Sequence, residues 1–419
     1  MLTFPSSPLG PGHITSLAAF LLAAVALILP SGYSLGALVL VLMGVWTLAT
    51  GRITPPGQPS WLVILVLVAF SVVGIVTAVL DGQGWRGVDK PLRPLLAAVA
   101  LLALLRYPPR LAWVWSGVAL GALGAGSWAT WQKLVVGVAR AEGHTYVIQF
   151  GNLSMLLGVL CLAGLGFAYG RRHRRLWLAL MLLGAVAGIL GSLFSGSRGG
   201  WVGFPVILLV LYRGYGDRLA TRRKAALAVG ILVAVSAVYL LPQTGVQQRV
   251  HQAIDDVSRY VSGESQTSSV GARFEMWKGA SRLILDKPLL GWGDDGYQAG
   301  MQALAEADVI HPGVTIYSHA HNEFIDTFAK QGIIGLLALL ALYLVPMRLF
   351  SRRLEAADLT QRSVAIAGVL LPVAYIDFGL SQAFLSHNSG IMMYGFLLVV
   401  LWASHCQHAG VTQAVDQTR

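Results

Sequence analysis

The sequence predicts an all-α membrane protein with about twelve transmembrane helices and one large loop subdomain outside the cytoplasm. Hydrophobic residues make up 55% of the 419 residues and charged residues only 12%, whereas soluble domains carry about 25% charged residues. The apolar residues form long, closely spaced runs, and a helix needs about 20 such residues to cross a bilayer. Lipid is therefore a better solvent than water for most of this chain.

Twelve apolar runs are long enough, or nearly long enough, to be interpreted as spans. The fourth and eighth are short, which predicts tilted, broken or protein-buried helices. No Lys or Arg precedes the first run, unlike in a cleaved signal peptide, so we expect it to be retained. The predicted spans are residues 14–30, 34–50, 61–80, 92–106, 111–131, 147–169, 176–194, 200–213, 225–242, 332–350, 363–380 and 388–404.

The loops on the two sides of the predicted bundle differ in positive charge. Sixteen Lys and Arg residues lie on one side, against six in the short loops of the other. Because cytoplasmic loops carry such an excess, we expect an inner-membrane protein with both termini in the cytoplasm. This bias also accounts for the net charge of +11, so nucleic-acid binding is not predicted. Cys161 and Cys406 form no CxxC pair and predict no disulfide framework.

One long polar segment interrupts the spans. Residues 243–331 contain most of the acidic residues and are expected to form a periplasmic subdomain or lid. Within the segment, apolar residues at helical spacing over 270–285 predict an amphipathic helix on the bundle or at the membrane interface. The predicted organisation is thus spans one to nine in 1–242, the loop subdomain in 243–331, spans ten to twelve in 332–404 and a cytoplasmic tail in 405–419.

Arg198 departs from the charge bias, because it lies on the extracytoplasmic side in the sequence SLFSGSRGGW (192–201). The glycines of this turn permit close approach of the backbone, and its serines can cap the following helix. A helix N-terminus with free N–H groups and a nearby arginine is a plausible phosphate site. The alternative is a tight turn with an arginine that reaches the membrane interface.

Two further groups of basic residues lie on the same side. Arg273 begins the predicted amphipathic helix and either binds an anion or belongs to a solvated helix face. The sequence GWRGVDKPLRP (84–94) contains a cluster that either guides an anionic substrate or lipid headgroups or anchors the chain at the interface. The members of that cluster are Arg86, Lys90 and Arg93.

The sequence YSHAHNEF (317–324) ends the long loop and offers imidazole groups. His319 and His321 could share a metal on an extended strand but would diverge on a helix, and no third ligand at a recognisable spacing lies nearby. We therefore predict no metal. A neutral imidazole can also act as a general base, with its tautomer fixed by a polar neighbour such as Asn322. A buried structural histidine is the remaining alternative.

No nucleotide-binding motif of the GxxxxGK[ST] or GxGxxG type occurs in a suitable context. Energy for any reaction must then come from the substrate or from an ion gradient. A lipid-linked pyrophosphate is such an activated substrate. Its transfer would need two cationic groups for the phosphates and one base for the acceptor hydroxyl.

Four motifs together resemble the O-antigen ligase family, whose members share a domain with O-antigen polymerases and protein O-oligosaccharyltransferases. The resemblance extends over most of the chain, with about twelve spans and one large loop late in the sequence. The motifs are SGSRGGW (195–201), GARFEMWKGA (271–280), KPLLGWGDDGY (287–297) and HAHNEF (319–324).

The resemblance implies a metal-independent, inverting glycosyltransferase of GT-C architecture, without cofactor or nucleotide. The donor would be a glycan on undecaprenyl pyrophosphate, and the acceptor would be a sugar of lipid A–core in the membrane. The family's essential histidine matches His321, which would activate the acceptor hydroxyl. Its two essential arginines match Arg198 and Arg273, which would hold the pyrophosphate. Supporting roles are expected for His319, Asn322, Arg86, Lys90 and Arg93.

Other functions remain open at this point. An O-antigen polymerase or a protein O-oligosaccharyltransferase would use the same donor with a different acceptor. A transporter or flippase for lipid-linked polysaccharide would be expected to place charged residues within its spans. Asp377 is the clearest acidic residue inside a late span, and it is alone there. The polar motifs gather instead at the extracytoplasmic edge, which favours an enzyme.

Overall fold

The computed structural model describes residues 10–197, 199–241 and 245–416, with side chains as far as residue 407. In these ranges the chain is helical and contains no strand. Seven helices are long and apolar enough to cross a membrane, and two shorter apolar helices precede them. The fold is therefore that of an all-α membrane protein, as the composition predicted.

The helices follow the predicted apolar runs closely. Each of the twelve predicted spans overlaps a helix, although only seven candidate spans meet the criteria of length and composition, so the count of twelve stays a prediction. The helices are α1 Pro11–Ala24, α2 Tyr33–Ala49, α3 Gln58–Leu80, α4 Gly84–Arg106, α5 Leu111–Trp131, α6 Val147–Ala163, α7 Leu165–Tyr169, α8 Arg174–Ser195, α9 Phe204–Tyr215, α10 Thr221–Leu240, α11 Val246–Val261, α12 Gly271–Asp286, α13 Gly293–Glu306, α14 Glu323–Ser351, α15 Leu359–Gly379 and α16 Asn388–Asp416.

The helix α4 begins earlier than the predicted fourth span. It starts at Gly84, so the basic cluster of 84–94 lies on its first turns rather than in a loop. An ion pair one turn apart, with Arg93 Nη2 2.7 Å from Asp89 Oδ2, supports this polar extension. The predicted fourth span, 92–106, is thus the C-terminal part of a longer helix.

Close approach of α6 and α8 sets the position of the loop that follows α8. Between apolar helices in lipid, association depends on tight packing, which small residues permit. A Cβ atom at Gly188 would lie 2.7 Å from Gly158 Cα, so the packing leaves no room for a side chain at Gly188. The helix α8 then ends at Ser195, and the next residue, Gly196, has a φ of 64°, the left-handed conformation common just after a helix C-terminus.

The residues around α12 and α13 have a hydrophobic core of their own. Met276 and Leu283 of α12 pack with Tyr297 and Met301 of α13, all of them buried. The amphipathic helix predicted over 270–285 is confirmed by α12, and this helix packs against α14.

A kink at Gly332 divides α14 into a short polar segment and a long apolar one. Gly332 has φ 64° and ψ −166°, and a Cβ atom there would lie 2.1 Å from the Leu289 carbonyl oxygen. The amide of Ile333 donates to the Pro288 carbonyl at 2.8 Å. The kink therefore joins the end of the loop region to the predicted tenth span.

Candidate active site

The turn that carries the two histidines is shaped by Asn322. This residue caps α14, because its Oδ1 accepts from the amides of Phe324 at 3.0 Å and Ile325 at 3.1 Å. His321 directly precedes the cap and has φ 49°, which is uncommon for a residue with a side chain. Asn322 Nδ2 also donates to the Leu380 carbonyl at 3.3 Å. The cap therefore fixes the turn to the segment that follows α15.

A second set of contacts fixes the residue between the histidines. The Ala320 carbonyl accepts from Trp277 Nε1 at 2.8 Å, and its amide donates to Asp326 Oδ1 at 2.9 Å. Trp277 lies one helical turn after Arg273 on α12, so both residues share a face. The backbone of the histidine turn is thus attached directly to the helix that carries Arg273.

His321 forms a hydrogen bond to an amide side chain. Its Nδ1 lies 2.5 Å from Gln382 Oε1, and Gln382 Nε2 lies 3.0 Å from His387 Nε2. These two partners belong to the segment between α15 and α16. Neither was singled out from the sequence, because neither lies in a motif and both are remote from His321 along the chain.

Burial lowers the pKa of His321, and the positive charge of Arg273 lowers it further, while the hydrogen bond that His321 makes to Gln382 Oε1 opposes both effects. Burial also lowers the pKa of Arg273. Arg273 forms no hydrogen bond or ion pair with any residue that the structure describes. The structure therefore brings together an imidazole that favours its neutral form and an unpaired guanidinium.

His319 lies beside His321, with ring centroids 4.2 Å apart, and 5.9 Å from the ring of His387. Burial lowers the pKa of His319 to about 3, assisted by the charges of His321, Lys330 and His387. Its Nδ1 is buried without a hydrogen-bond partner in the described part of the chain. No group of three or more His, Cys, Asp or Glu side chains is arranged for a metal within that part.

An ion-pair network contacts the histidine turn at Ser318. Lys330 Nζ is 2.8 Å from Asp294 Oδ1 and 3.1 Å from Asp326 Oδ2, and it donates to the Ser318 carbonyl at 2.8 Å. The network links α13, α14 and the turn. The spacing of Asp326 and Lys330, one helical turn apart, was the available sequence signal.

Arg198 lies outside the described residues, but the residues on either side of it can be placed. Ser197 Oγ donates to Asn152 Oδ1 at 2.9 Å. A Cβ atom at Gly199 would lie 2.2 Å from Ser381 Oγ, so the turn packs next to the residue before Gln382. The flanks of the glycine-rich turn thus lie close to the partner of His321.

Two arginines that the sequence motifs did not include converge on the same turn. Arg140 Nε donates to the Ser195 carbonyl at 2.8 Å. Arg249 of α11 places a guanidinium nitrogen 2.7 Å from where a Cβ atom of Gly196 would be. Burial lowers the pKa of Arg140, and so does the charge of Arg249. The two like charges make this turn electropositive.

A cavity of about 1580 Å³ opens beside these residues. It is formed at the end of the bundle where α4, α6 and α16 begin. Arg86 and Lys90 line it, whereas Arg93 does not and is paired with Asp89. Other residues that line it include Arg140, Gln149, Ser318, His319, Gln382 and His387, together with the acidic Glu142, Asp294 and Asp295.

Asp377, the acidic residue inside a late span, contacts the backbone of another helix. Its Oδ1 accepts from the Gly203 amide at 2.6 Å, at the start of α9. A carboxylate at a helix N-terminus satisfies a free N–H group and complements the helix dipole. This contact favours a role in attaching α9 to α15.

The fold and the site together define a helical membrane protein whose basic and imidazole groups gather beside a large cavity at one end of the bundle. Residues 183–340 match the family model described as O-antigen ligase. This region, which includes the positions of Arg198, Arg273 and His321, is therefore an O-antigen ligase family domain, as the motifs predicted.

Two relatives are similar over different lengths. The chain is 26% identical to an uncharacterized protein of Haemophilus influenzae over 371 residues, which is 88% of this chain and 92% of that protein. It is 23% identical to the O-antigen ligase of Escherichia coli over 214 residues, which is 50% of this chain and 48% of that protein. The second match thus spans about half of each protein.

Proposed function

We propose that this protein is an O-antigen ligase of the bacterial inner membrane, with its active site facing the periplasm. It transfers a glycan from undecaprenyl pyrophosphate to a sugar hydroxyl of lipid A–core and so completes lipopolysaccharide. The observation that carries the proposal is the placement of His321, whose pKa is lowered, near Arg273, which has no hydrogen-bond or ion-pair partner among the described residues. The family domain over 183–340 supports it.

In the proposed reaction, the acceptor hydroxyl oxygen attacks the anomeric carbon of the donor from the face opposite the pyrophosphate. The new C–O bond forms as the bond from carbon to pyrophosphate oxygen breaks, which inverts the configuration. His321 takes the hydroxyl proton. Undecaprenyl pyrophosphate departs with both bonding electrons, and Arg198 and Arg273 stabilise the charge that develops on it.

The basic residues around the cavity suit substrates that carry phosphate. Arg140 and Arg249 add positive charge at the glycine-rich turn, next to the proposed pyrophosphate position. Arg86 and Lys90 line the cavity and can attract anionic groups of either substrate or of membrane lipids. Asn322 and His319 support the turn around His321.

The closest alternatives differ only in the acceptor. A polymerase would extend a second lipid-linked glycan, and a protein O-oligosaccharyltransferase would modify a protein hydroxyl. A transporter for the lipid-linked glycan would move its substrate without forming a bond. The backbone contact of Asp377 argues against a charged transport path through α15.

The deciding experiment is reconstitution of the full-length protein with purified undecaprenyl-pyrophosphate glycan. Lipid A–core, a second lipid-linked glycan and a hydroxyl-rich protein are offered in separate reactions. Glycosylated lipid A–core is the expected product, with the same yield in a metal chelator. Exclusive product on either other acceptor would replace the ligase by the corresponding alternative, and movement of unaltered donor across the bilayer would indicate a transporter.

A further inference from the structure

Gln382 connects two imidazole rings and is itself almost fully buried, at 4% exposure. Its Oε1 lies 2.5 Å from His321 Nδ1, and its Nε2 lies 3.0 Å from His387 Nε2. An amide oxygen can only accept a hydrogen bond, and an amide NH₂ group can only donate. With the amide in this orientation, His321 carries its proton on Nδ1, and His387 presents an unprotonated Nε2.

This protonation pattern leaves the lone pair of neutral His321 on Nε2, the only ring nitrogen free to receive a proton. After proton transfer, the Nδ1–H group of the imidazolium still donates to the amide oxygen, which stabilises the positive charge. We propose that Gln382 is a positioning residue that fixes the tautomer and the ring orientation of His321, so that Nε2 receives the proton of the acceptor hydroxyl. This inference rests on the proposed function of His321 as the base.

The orientation of the amide is coupled to the protonation of both rings. If the amide were reversed, its NH₂ group would face His321 Nδ1, and the proton of neutral His321 would have to be on Nε2. The base would then have no lone pair toward the substrate. In the reversed orientation His387 Nε2 would have to donate to the amide oxygen, whereas in the orientation of the structure it accepts from the amide NH₂. Only the second arrangement leaves a lone pair on His321 Nε2.

The backbone contacts of this region hold Gln382 opposite His321. Asn322 Nδ2 donates to the Leu380 carbonyl at 3.3 Å, and the Leu385 amide donates to Glu323 Oε2 at 2.8 Å. These bonds flank Gln382 on both sides and join its segment to the start of α14. The distance between the amide and the imidazole is therefore set by the fold.

The hydrogen-bond partner of His321 is the uncharged amide of Gln382, although other titratable groups surround the ring. His321 faces Arg273 on α12, His319 and Tyr317 on its own turn, and His387 near the start of α16. A carboxylate in place of Gln382 would stabilise the imidazolium strongly and would leave His321 protonated over more of the pH range. An amide orients the ring with a smaller effect on its charge.

The test compares Gln382→Leu and Gln382→Glu in the reconstituted full-length protein, with glycan transfer to lipid A–core measured across pH. Loss of ring orientation in Q382L should lower kcat by about 10-fold or more, within the range of general-base effects, while the donor KM changes by less than about 2-fold. Q382L removes an acceptor for the imidazolium, so the acid limb of kcat moves to lower pH. Q382E keeps an acceptor and adds negative charge, so its kcat recovers at high pH and its acid limb moves to higher pH.

Gln361→Leu is the matched control, because Gln361 is equally buried, at 2% exposure, at the opposite end of α15. That position is about 30 Å away by the rise of an α-helix. The Gln361→Leu variant should therefore keep the wild-type pH profile of kcat. Thermal unfolding of each variant separates loss of folded protein from loss of catalysis.

The proposal is overturned if Q382L retains kcat within about 2-fold with an unmoved acid limb. It is also overturned if both Gln382 variants lose kcat equally without a shift in the limb, since that result indicates packing alone. Activity of the His321→Ala variant would show that His321 is not the base. Absence of transfer by the wild type to any acceptor would reject the proposed function. These outcomes differ from the failure of the Gln382 role.

Discussion

Among the single residues, His321 matters most: its backbone has a left-handed conformation next to the Asn322 cap. Such a conformation is costly for a residue with a side chain and persists where surrounding contacts enforce it. Here the Ala320 backbone is held by Trp277 and Asp326. The turn therefore presents the imidazole in one orientation before a substrate binds.

His321→Ala should lower kcat for glycan transfer by about 10²- to 10⁴-fold, the usual range for loss of a general base, while the protein still inserts into the membrane. His319→Ala provides the comparison: it removes the neighbouring, supporting imidazole but leaves the hydrogen bond of His321 to Gln382 intact, so it should lower kcat much less. Single-turnover transfer from a labelled donor measures the effect. Normal transfer by His321→Ala would eliminate this residue as the base.

The acid limb of transfer should lie below pH 6.5, the ordinary pKa of histidine, because burial and Arg273 both lower the pKa of His321. A lowered pKa means that the neutral, proton-accepting form persists to lower pH. Arg273→Gln removes the positive charge and should therefore move the limb to higher pH. Arg273→Lys should leave the limb near that of the wild type but use donor poorly, because it cannot bind phosphate in a bidentate manner.

The pH dependence of kcat/KM checks both substitutions. A limb in Arg273→Gln at or below the wild-type position would show that the arginine does not act on His321. Full donor use by Arg273→Lys would show that a positive charge alone suffices at this position.

At the scale of helices, α12 brings Arg273 to the histidine turn through the indole of Trp277. The partner of that indole is a backbone carbonyl, so the attachment depends on geometry and not on the identity of residue 320. The same helix packs against α13 through a small hydrophobic core. The position of Arg273 is thus coupled to the folding of the whole loop region.

Trp277→Phe should lower kcat, because loss of the indole N–H releases Ala320 from α12. Trp292→Phe is the matched control, since Trp292 Nε1 donates to the Leu283 carbonyl at 2.7 Å, away from the turn. Each substitution should destabilise the protein by about 1 kcal/mol, the usual net value of one hydrogen bond. Equal kcat values for the two variants would contradict a positioning role for Trp277. Thermal unfolding measures the stability of each variant.

The helix α11 brings Arg249 to the glycine-rich turn, where Arg140 also lies. Arg249→Gln should raise the donor KM several-fold, because a positive group near the proposed pyrophosphate is lost. Arg259→Gln, on the same helix and paired with Asp256, should leave the KM unchanged. The donor KM of both variants is measured by varying the donor concentration. An unaltered KM in Arg249→Gln would show that Arg249 does not contribute to donor binding.

At the scale of the whole molecule, the proposed chemistry requires the cavity to face the periplasm. The cavity lies where α4, α6 and α16 begin, and the charge bias predicts this end to be outside the cytoplasm. Lipid-linked glycan and lipid A–core would then meet on one side of the membrane. The preassembled donor supplies the driving force, so no nucleotide is needed there.

Single cysteines at Ser281 and Ala357, introduced after replacement of Cys161 and Cys406, test this orientation. Both positions are exposed, and they lie on opposite sides in the predicted topology. A membrane-impermeant maleimide added from the periplasmic side should label Cys at 281 and leave 357 unlabelled until the membrane is opened. The reverse pattern would place the histidine turn in the cytosol and reject the proposed reaction.

The sequence by itself determined the helical membrane fold and three of the residues proposed for catalysis. Long apolar runs and the alternation of charge are local properties, so they can be recognised without a structure. Arg198, Arg273 and His321 stood out because they lie in recognisable motifs on the predicted extracytoplasmic side. The start of α4 at Gly84 was missed because its first turns are polar, and hydrophobic periodicity does not register such an extension.

Only the tertiary structure decided the partners of these residues. Gln382 faces His321 across 61 positions of sequence, and Trp277 reaches Ala320 across 43. A hydrogen bond between remote segments leaves no local periodicity, and a single glutamine or tryptophan has the same composition wherever it lies. Which nitrogen of His321 is free to take a proton is therefore a property of how α12, α14 and α15 pack, and no one segment contains it.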